Sequence, residues 1–136
     1  SAALYKISPT KINEDVVVPI SKVPLLLMAI EKLSEKHDLP IACFGHAGDG
    51  NIHVNIMTDK DDKESFEKAE KAVRQLFELT LSLGGTLSGE HGIGLTKAKY
   101  IDMELDMINI DLMKGIKALF DPKNILNPGK IFTSEG

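Results

Sequence analysis

The chain has 136 residues, a length that suits one domain with its own hydrophobic core. Its 43% hydrophobic and 26% charged residues are those of a folded globular protein, which excludes a disordered chain. A net charge of -4 lacks the basic footprint of a nucleic-acid binder, and no apolar run nears the ~20 residues of a membrane-spanning helix. Cys43 is the only cysteine, so a disulfide framework and a multi-cysteine zinc site are excluded. A reducing, cytoplasmic setting is expected, with peripheral membrane association compatible with it. The chain opens on Ser1 rather than Met and is read as a processed chain or a piece of a longer one.

Lys6 to Asn13 carries Pro9 and reads as an irregular lead-in, followed by a short β-branched strand over Asp15 to Pro19. Ser21 is the expected N-cap of a helix whose Val23, Leu26, Leu27, Ile30 and Leu33 recur at helical spacing. That helix should fade between His37 and Pro40. Ile41 to His46 and Asn51 to Met57 predict a hairpin. In its second strand Ile52, Val54 and Ile56 alternate with Asn51, His53 and Asn55, the period-2 mark of one dry face. A Gly48-Asp49 loop with glycine at positive φ fits a type II′ turn.

A long amphipathic helix is predicted over Asp59 to Leu83, with acids in its first turn and Phe66, Ala69, Val73, Leu76, Phe77 and Leu81 facing inward. Gly84-Gly85 should stop it. Thr86 to Ser88 reads as a short strand, Thr96 to Met103 and Ile108 to Phe120 as helices, and Asp121 to Lys130 as turns. The order predicts an α+β fold: a ferredoxin-like βαββαβ antiparallel sheet, helices on one face, further helices C-terminal. A single domain over 1–136 is expected, with something else needed on the other face of the sheet.

Register decides the chemistry of the hairpin. Opposing His46 with Asn51 and Phe44 with His53 puts His46, Asn51, His53 and Asn55 on one face and Cys43, Gly45, Ile52 and Val54 on the other. His46 and His53 are then diagonal neighbours, roughly 7–8 Å apart at Cα. Two imidazoles so placed can converge on one metal, or can be solvated hairpin residues. The density of His and Asn on that face favours a site.

Glu90 and His91 form a second cluster, flanked by Gly89, Gly92 and Gly94. Adjacent side chains in an extended loop diverge, so one can bind a metal while its neighbour meets a substrate. A flexible surface turn is the plainer reading of the loop alone. The segment lacks the spacing of a phosphate loop or a dinucleotide fingerprint. Cys43 falls on the predicted buried face, where packing is its expected role, and the methionines read as core filler. The one arginine, Arg74, lies within the long helix, so no bidentate arginine clamp for a carboxylate is available at the site unless a lysine or a metal substitutes.

Four blocks in this order carry a resemblance: Glu14-Asp15-Val16-Val17-Val18-Pro19, Gly45-His46-Ala47-Gly48-Asp49-Gly50-Asn51-Ile52-His53, Gly84-Gly85 through Ser88-Gly89-Glu90-His91-Gly92-Ile93-Gly94, and Asp121-Pro122 with Asn127-Pro128-Gly129-Lys130. From about Lys11 to Phe132 the chain resembles the C-terminal domain of the FAD-linked 2-hydroxy-acid dehydrogenases. These include D-lactate dehydrogenase and the glycolate oxidase catalytic subunit, within the vanillyl-alcohol oxidase superfamily.

The resemblance implies oxidation of a D-2-hydroxy acid, of the lactate or glycolate class, to the 2-oxo acid, with hydride passing to FAD. It implies a divalent metal, zinc first, on His46, His53 and Glu90, with His91 as catalytic base and Asn55 as a substrate contact. Asn127 and Lys130 are implied on the cofactor side. The partners implied are a small-molecule 2-hydroxy acid and the chain's own N-terminal FAD-binding domain, which is absent from these residues. A lysine that some members carry two residues before the strand aspartate is Asn13 here. The same ligand set would also suit a zinc-dependent hydrolase, and the fold a non-catalytic interaction module. The fragment alone is expected to be inactive.

Overall fold

A computed structural model describes residues 10–46 and 48–132, His46 through its backbone only. The chain divides into two compact units, Ser1–Glu90 and His91–Gly136.

The first unit is organised by strand pairing. β1 (Thr10–Val17), β2 (Ile41–His46) and β3 (Asn51–Thr58) form a three-stranded antiparallel sheet in the order β1-β3-β2. β1 therefore begins well before the expected strand: Thr10 to Asn13, read as an irregular lead-in, pair with Thr58 to Asn55. The backbone ladder to β3 outweighs the weak strand signal of these polar residues. β2 and β3 keep the expected register, His46 opposite Asn51 and Phe44 opposite His53.

The turn joining them differs from the one expected. Positive φ falls at Gly50 (+78°) and not at Gly48, so it is not a type II′ turn. Instead Asp49 accepts the Asn51 backbone N–H at 2.9 Å, and Gly50 accepts the Val18 N–H through its carbonyl at 3.2 Å. A Cβ on Gly50 would lie 2.1 Å from Val18 O, so only glycine lets the turn press against the chain leaving β1.

α1 (Val23–His37) follows a 3-10 turn over Ile20–Lys22. Ser21 lies inside that turn and caps nothing; Lys22 holds the N-cap position without a side-chain bond, and Pro24 in the first turn starts the helix. Leu26, Ile30 and Leu33 are its buried stripe, and Asp38 in the left-handed region ends it. α2 (Lys63–Ser82) starts later than expected, because Asp62 is the cap, accepting Glu64 N and Ser65 N at 3.0 and 3.3 Å. It ends as expected at Gly84 (φ +76°): Gly84 N donates to Leu81 O and Gly85 N to Thr80 O, at 2.9 and 3.0 Å.

α1 and α2 pack on each other and on the sheet, closing a core of Val16, Val54, Ile56, Leu26, Leu76 and Phe77. Each such side chain contributes roughly 1.5–3 kcal/mol by burial. Cys43 lies half-buried on the helix-covered face, and burial pushes its thiol up to about 11. The α+β class and the strand–helix–hairpin–helix order hold. The expected fourth strand shrinks to one bridge, Val17 with Thr86, beside β1. The other expectation that changes is the wet face of β3. Asn51 and Asn55 are buried too, so the central strand is covered on both sides.

In the second unit the helix expected over Thr96 to Met103 is a 3-10 segment, Ala98–Met103. Asp106 caps the next helix so soon afterwards that too few residues remain for a full α-helix to propagate. α3 (Met107–Phe120) buries Ile110 but leaves Ile108, Leu112, Ile116 and Phe120, four residues apart along one face, 52–80% exposed. No helix among the described residues is long and apolar enough to cross a membrane.

Replacing Gly50 by alanine should lower stability to urea by roughly 1–3 kcal/mol through backbone strain and collision. Gly48→Ala, which meets open space at ordinary φ, should change it by less than about 0.5 kcal/mol. Equal effects of the two would contradict the turn described here.

Candidate functional site

One rung of the sheet holds the candidate site. Across β1, β3 and β2 it reads Asp15, His53, Phe44, joined by backbone register. The Phe44 and His53 rings sit 5.9 Å apart at a 42° tilt, so the phenyl group walls one side of the imidazole. His53 is only 14% exposed at its side chain, and its Nε2 lies 3.3 Å from Oε1 of Glu90. Tetrahedral ligands at the ~2.0–2.2 Å distances of zinc are separated by about 3.3–3.6 Å, so this nitrogen and this oxygen are spaced as two ligands of one such ion. A half-buried imidazole beside a half-exposed carboxylate fits the expected donor set.

Glu90 reaches His53 because its backbone is anchored. Asp15, fully buried, accepts the backbone N–H of Gly89 at 2.9 Å and of Glu90 at 2.6 Å, both on Oδ2. Gly89 permits the approach: a Cβ there would lie 2.4 Å from Asn51 Oδ1. The same two bonds explain the missing strand. At Gly89 and Glu90 the chain gives its N–H groups to a side chain rather than to the backbone of β1, and only the Val17–Thr86 bridge of the ladder remains.

Further along the same face, Lys11 donates from Nζ to Asn55 Oδ1 at 3.2 Å. Asn55 is fully buried, and its Nδ2 finds no hydrogen-bond acceptor among the described residues. A buried donor left without a partner costs about 1–3 kcal/mol, which a ligand oxygen would recover.

Of the residues singled out from sequence, His53 and Glu90 are together, and Asn55 lies on β3 beyond His53. His46 holds its register place opposite Asn51, and its side chain lies outside the described residues. His91 follows Glu90 directly and opens the second unit, exposed. Asn127 and Lys130 line a cleft of about 400 Å³ in that unit, together with Lys114, Lys117 and Asp121. Sequence reasoning missed Asp15 and Lys11 as contributors. An acid at the head of a β-branched run was the available signal for the first.

Asp121 organises the cleft. Its carboxyl sits below the usual carboxylate range because Lys117 donates to it, against the opposing effect of burial. The Leu126 and Ile125 backbone N–H groups donate as well, at 2.9 and 3.0 Å. Asn124 and Asn127 take left-handed φ near 49° in the turns that follow.

The family model for FAD linked oxidases, C-terminal domain, matches residues 1–131. The chain belongs to that family. It is 47% identical over 134 residues to the glycolate oxidase subunit GlcD of Bacillus subtilis (strain 168), covering 98% of this chain and 28% of the relative. It is 40% identical over 131 residues to the D-2-hydroxyglutarate dehydrogenase of Stutzerimonas stutzeri (strain A1501), covering 92% and 28%. Among solved structures, 4-ethylphenol oxidase from Gulosibacter chungangensis shares the fold with a TM-score of 0.66 at 19% identity, over 98% of this chain and 27% of that one. The chain thus spans a little over a quarter of the relatives it matches.

A carboxylate with a depressed folded pKa contributes stability fully above its unfolded pKa and loses it as pH falls through the folded value. The Asp121 turn should therefore stay closed at neutral pH and open only below about pH 4. Amide exchange at Ile125 and Leu126 measures this. Asp121→Asn should lower their protection at pH 7 and flatten its pH dependence.

Proposed function

We propose that this chain is the substrate-side part of an FAD-dependent enzyme that oxidises a D-2-hydroxy acid, of the lactate or glycolate class, to its 2-oxo acid. The single observation that carries the reading is the His53–Glu90 pair, spaced as metal ligands in a member of the FAD-linked oxidase family. His53, Glu90 and His46 would hold a divalent ion, zinc first among the metals that take two imidazoles and a carboxylate. The ion would acidify the substrate hydroxyl, and FAD, bound mainly by the rest of the protein, would receive the hydride.

The chain's own residues do the remaining work. His91 takes the hydroxyl proton on a ring nitrogen, the general-base role for which an imidazole is chemically suited. Asn55 offers its buried Nδ2 to a substrate oxygen. Lys11, which holds the other end of the Asn55 amide, puts a positive charge on the face where an acid must bind. That cation, two residues before Asn13 on the same strand, stands where the arginine clamp is missing. Asn127 and Lys130, in their lysine-lined cleft, face the flavin side. The exposed apolar row of α3 is the surface that meets the flavin-binding part, for a row of this extent is rarely left to water.

In the intact protein, His53→Ala should reduce bound zinc from stoichiometric to trace amounts. His91→Asn should keep the metal and cost about 10²–10⁴-fold in turnover, the usual size of a general-base effect. Metal analysis beside steady-state rates checks both. Equal metal contents in the two variants would contradict the separate roles.

A further inference from the structure

We infer that Asp15 is a positioning residue, whose buried carboxylate clamps the Gly89–Glu90 backbone so that the Glu90 side chain is delivered to His53. The inference rests on the metal-site reading above and adds a residue to it.

Asp15 is fully buried, and its partner in strand register is His53 itself. Opposed residues of an antiparallel pair project from the same face, so the carboxylate and the imidazole share one side of the sheet. Oδ2 of Asp15 accepts two consecutive backbone N–H groups, from Gly89 at 2.9 Å and Glu90 at 2.6 Å. Both come from a segment more than seventy residues away in sequence, which no longer pairs as a strand.

A carboxylate removed from water is retained only where donors satisfy it, and here two of the donors are backbone N–H groups of the Glu90 segment. Two paired strands thus set the two members of the pair. β3 fixes His53, and β1 fixes Glu90 through Asp15. Without the clamp, Glu90 would hang from a glycine-flanked loop at an undefined distance from the imidazole. A metal pair must be held to a few tenths of an ångström, so support around the ligands governs affinity.

The test uses the intact protein with cobalt(II) as probe, read by its visible absorption, together with amide exchange at Gly89 and Glu90. Asp15→Ala should weaken cobalt binding about 10–100-fold, the range seen when a supporting group of a metal site is removed. It should also free the Gly89 and Glu90 amides while β1 and β3 stay protected. Asp15→Asn keeps an acceptor oxygen in place and should restore most of the affinity and the slow exchange; a purely structural loss would show no such rescue. Affinity within about twofold of wild type in a folded Asp15→Ala protein overturns the inference. So does an Asp15→Asn variant no better than alanine. Slow Gly89 and Glu90 amides in a wild-type protein that takes up no cobalt would overturn the metal reading and support the clamp.

Discussion

A buried carboxylate on the first strand, satisfied by the backbone of a distant loop, is the contact on which the arrangement of the site depends. Asp15 gives up hydration, at a cost of several kcal/mol for an unpartnered ion. The two short bonds from Gly89 and Glu90 offset that cost, each charge-assisted bond contributing about 1.5–3 kcal/mol. The consequences run through the first unit. The chain after Thr86 leaves the sheet edge, the fourth strand is reduced to one bridge, and Glu90 is brought onto the face that carries His53.

Around this contact the fold separates scaffolding from chemistry. The helix-covered face of the sheet holds Val16, Ile52, Val54 and Ile56, packed against α1 and α2, and its work is stability. The opposite face places polar groups at costly positions: Lys11, Asp15, Asn51, His53 and Asn55. The orphan Nδ2 of Asn55 is a cost for a free-standing sheet, whereas His53 is partnered by Glu90 across the same face. The second unit has a different economy. α3 turns a long apolar row outward, and a lysine-lined cleft lies at its C-terminal end.

Much of this is legible in the sequence. The alternation of Ile52, Val54 and Ile56 with Asn51, His53 and Asn55 fixed the hairpin register, because a slip of one residue would exchange the two faces. Gly84-Gly85 marked the end of α2 through the left-handed conformation that glycine accepts. Other features were not legible. The early start of β1 is written in the partner strand, since Thr10 to Asn13 carry no run of strand-forming residues. Ser21 has the chemistry of a cap, yet the tight turn ahead of Pro24 leaves it nothing to cap. Gly48 and Gly50 are indistinguishable as turn formers until Val18 presses against one of them.

The sequence by itself determined the order of the main helices and the hairpin, the register of that hairpin and the residue types able to bind a metal or move a proton. These follow from local periodicity and from side-chain chemistry, which need no third dimension. Only the tertiary structure decided that Asp15 captures the Glu90 backbone, that Lys11 holds Asn55, and that the last strand never forms. Each of those is a contact across more than forty residues, chosen by which buried polar group finds a partner, and no local pattern records that competition.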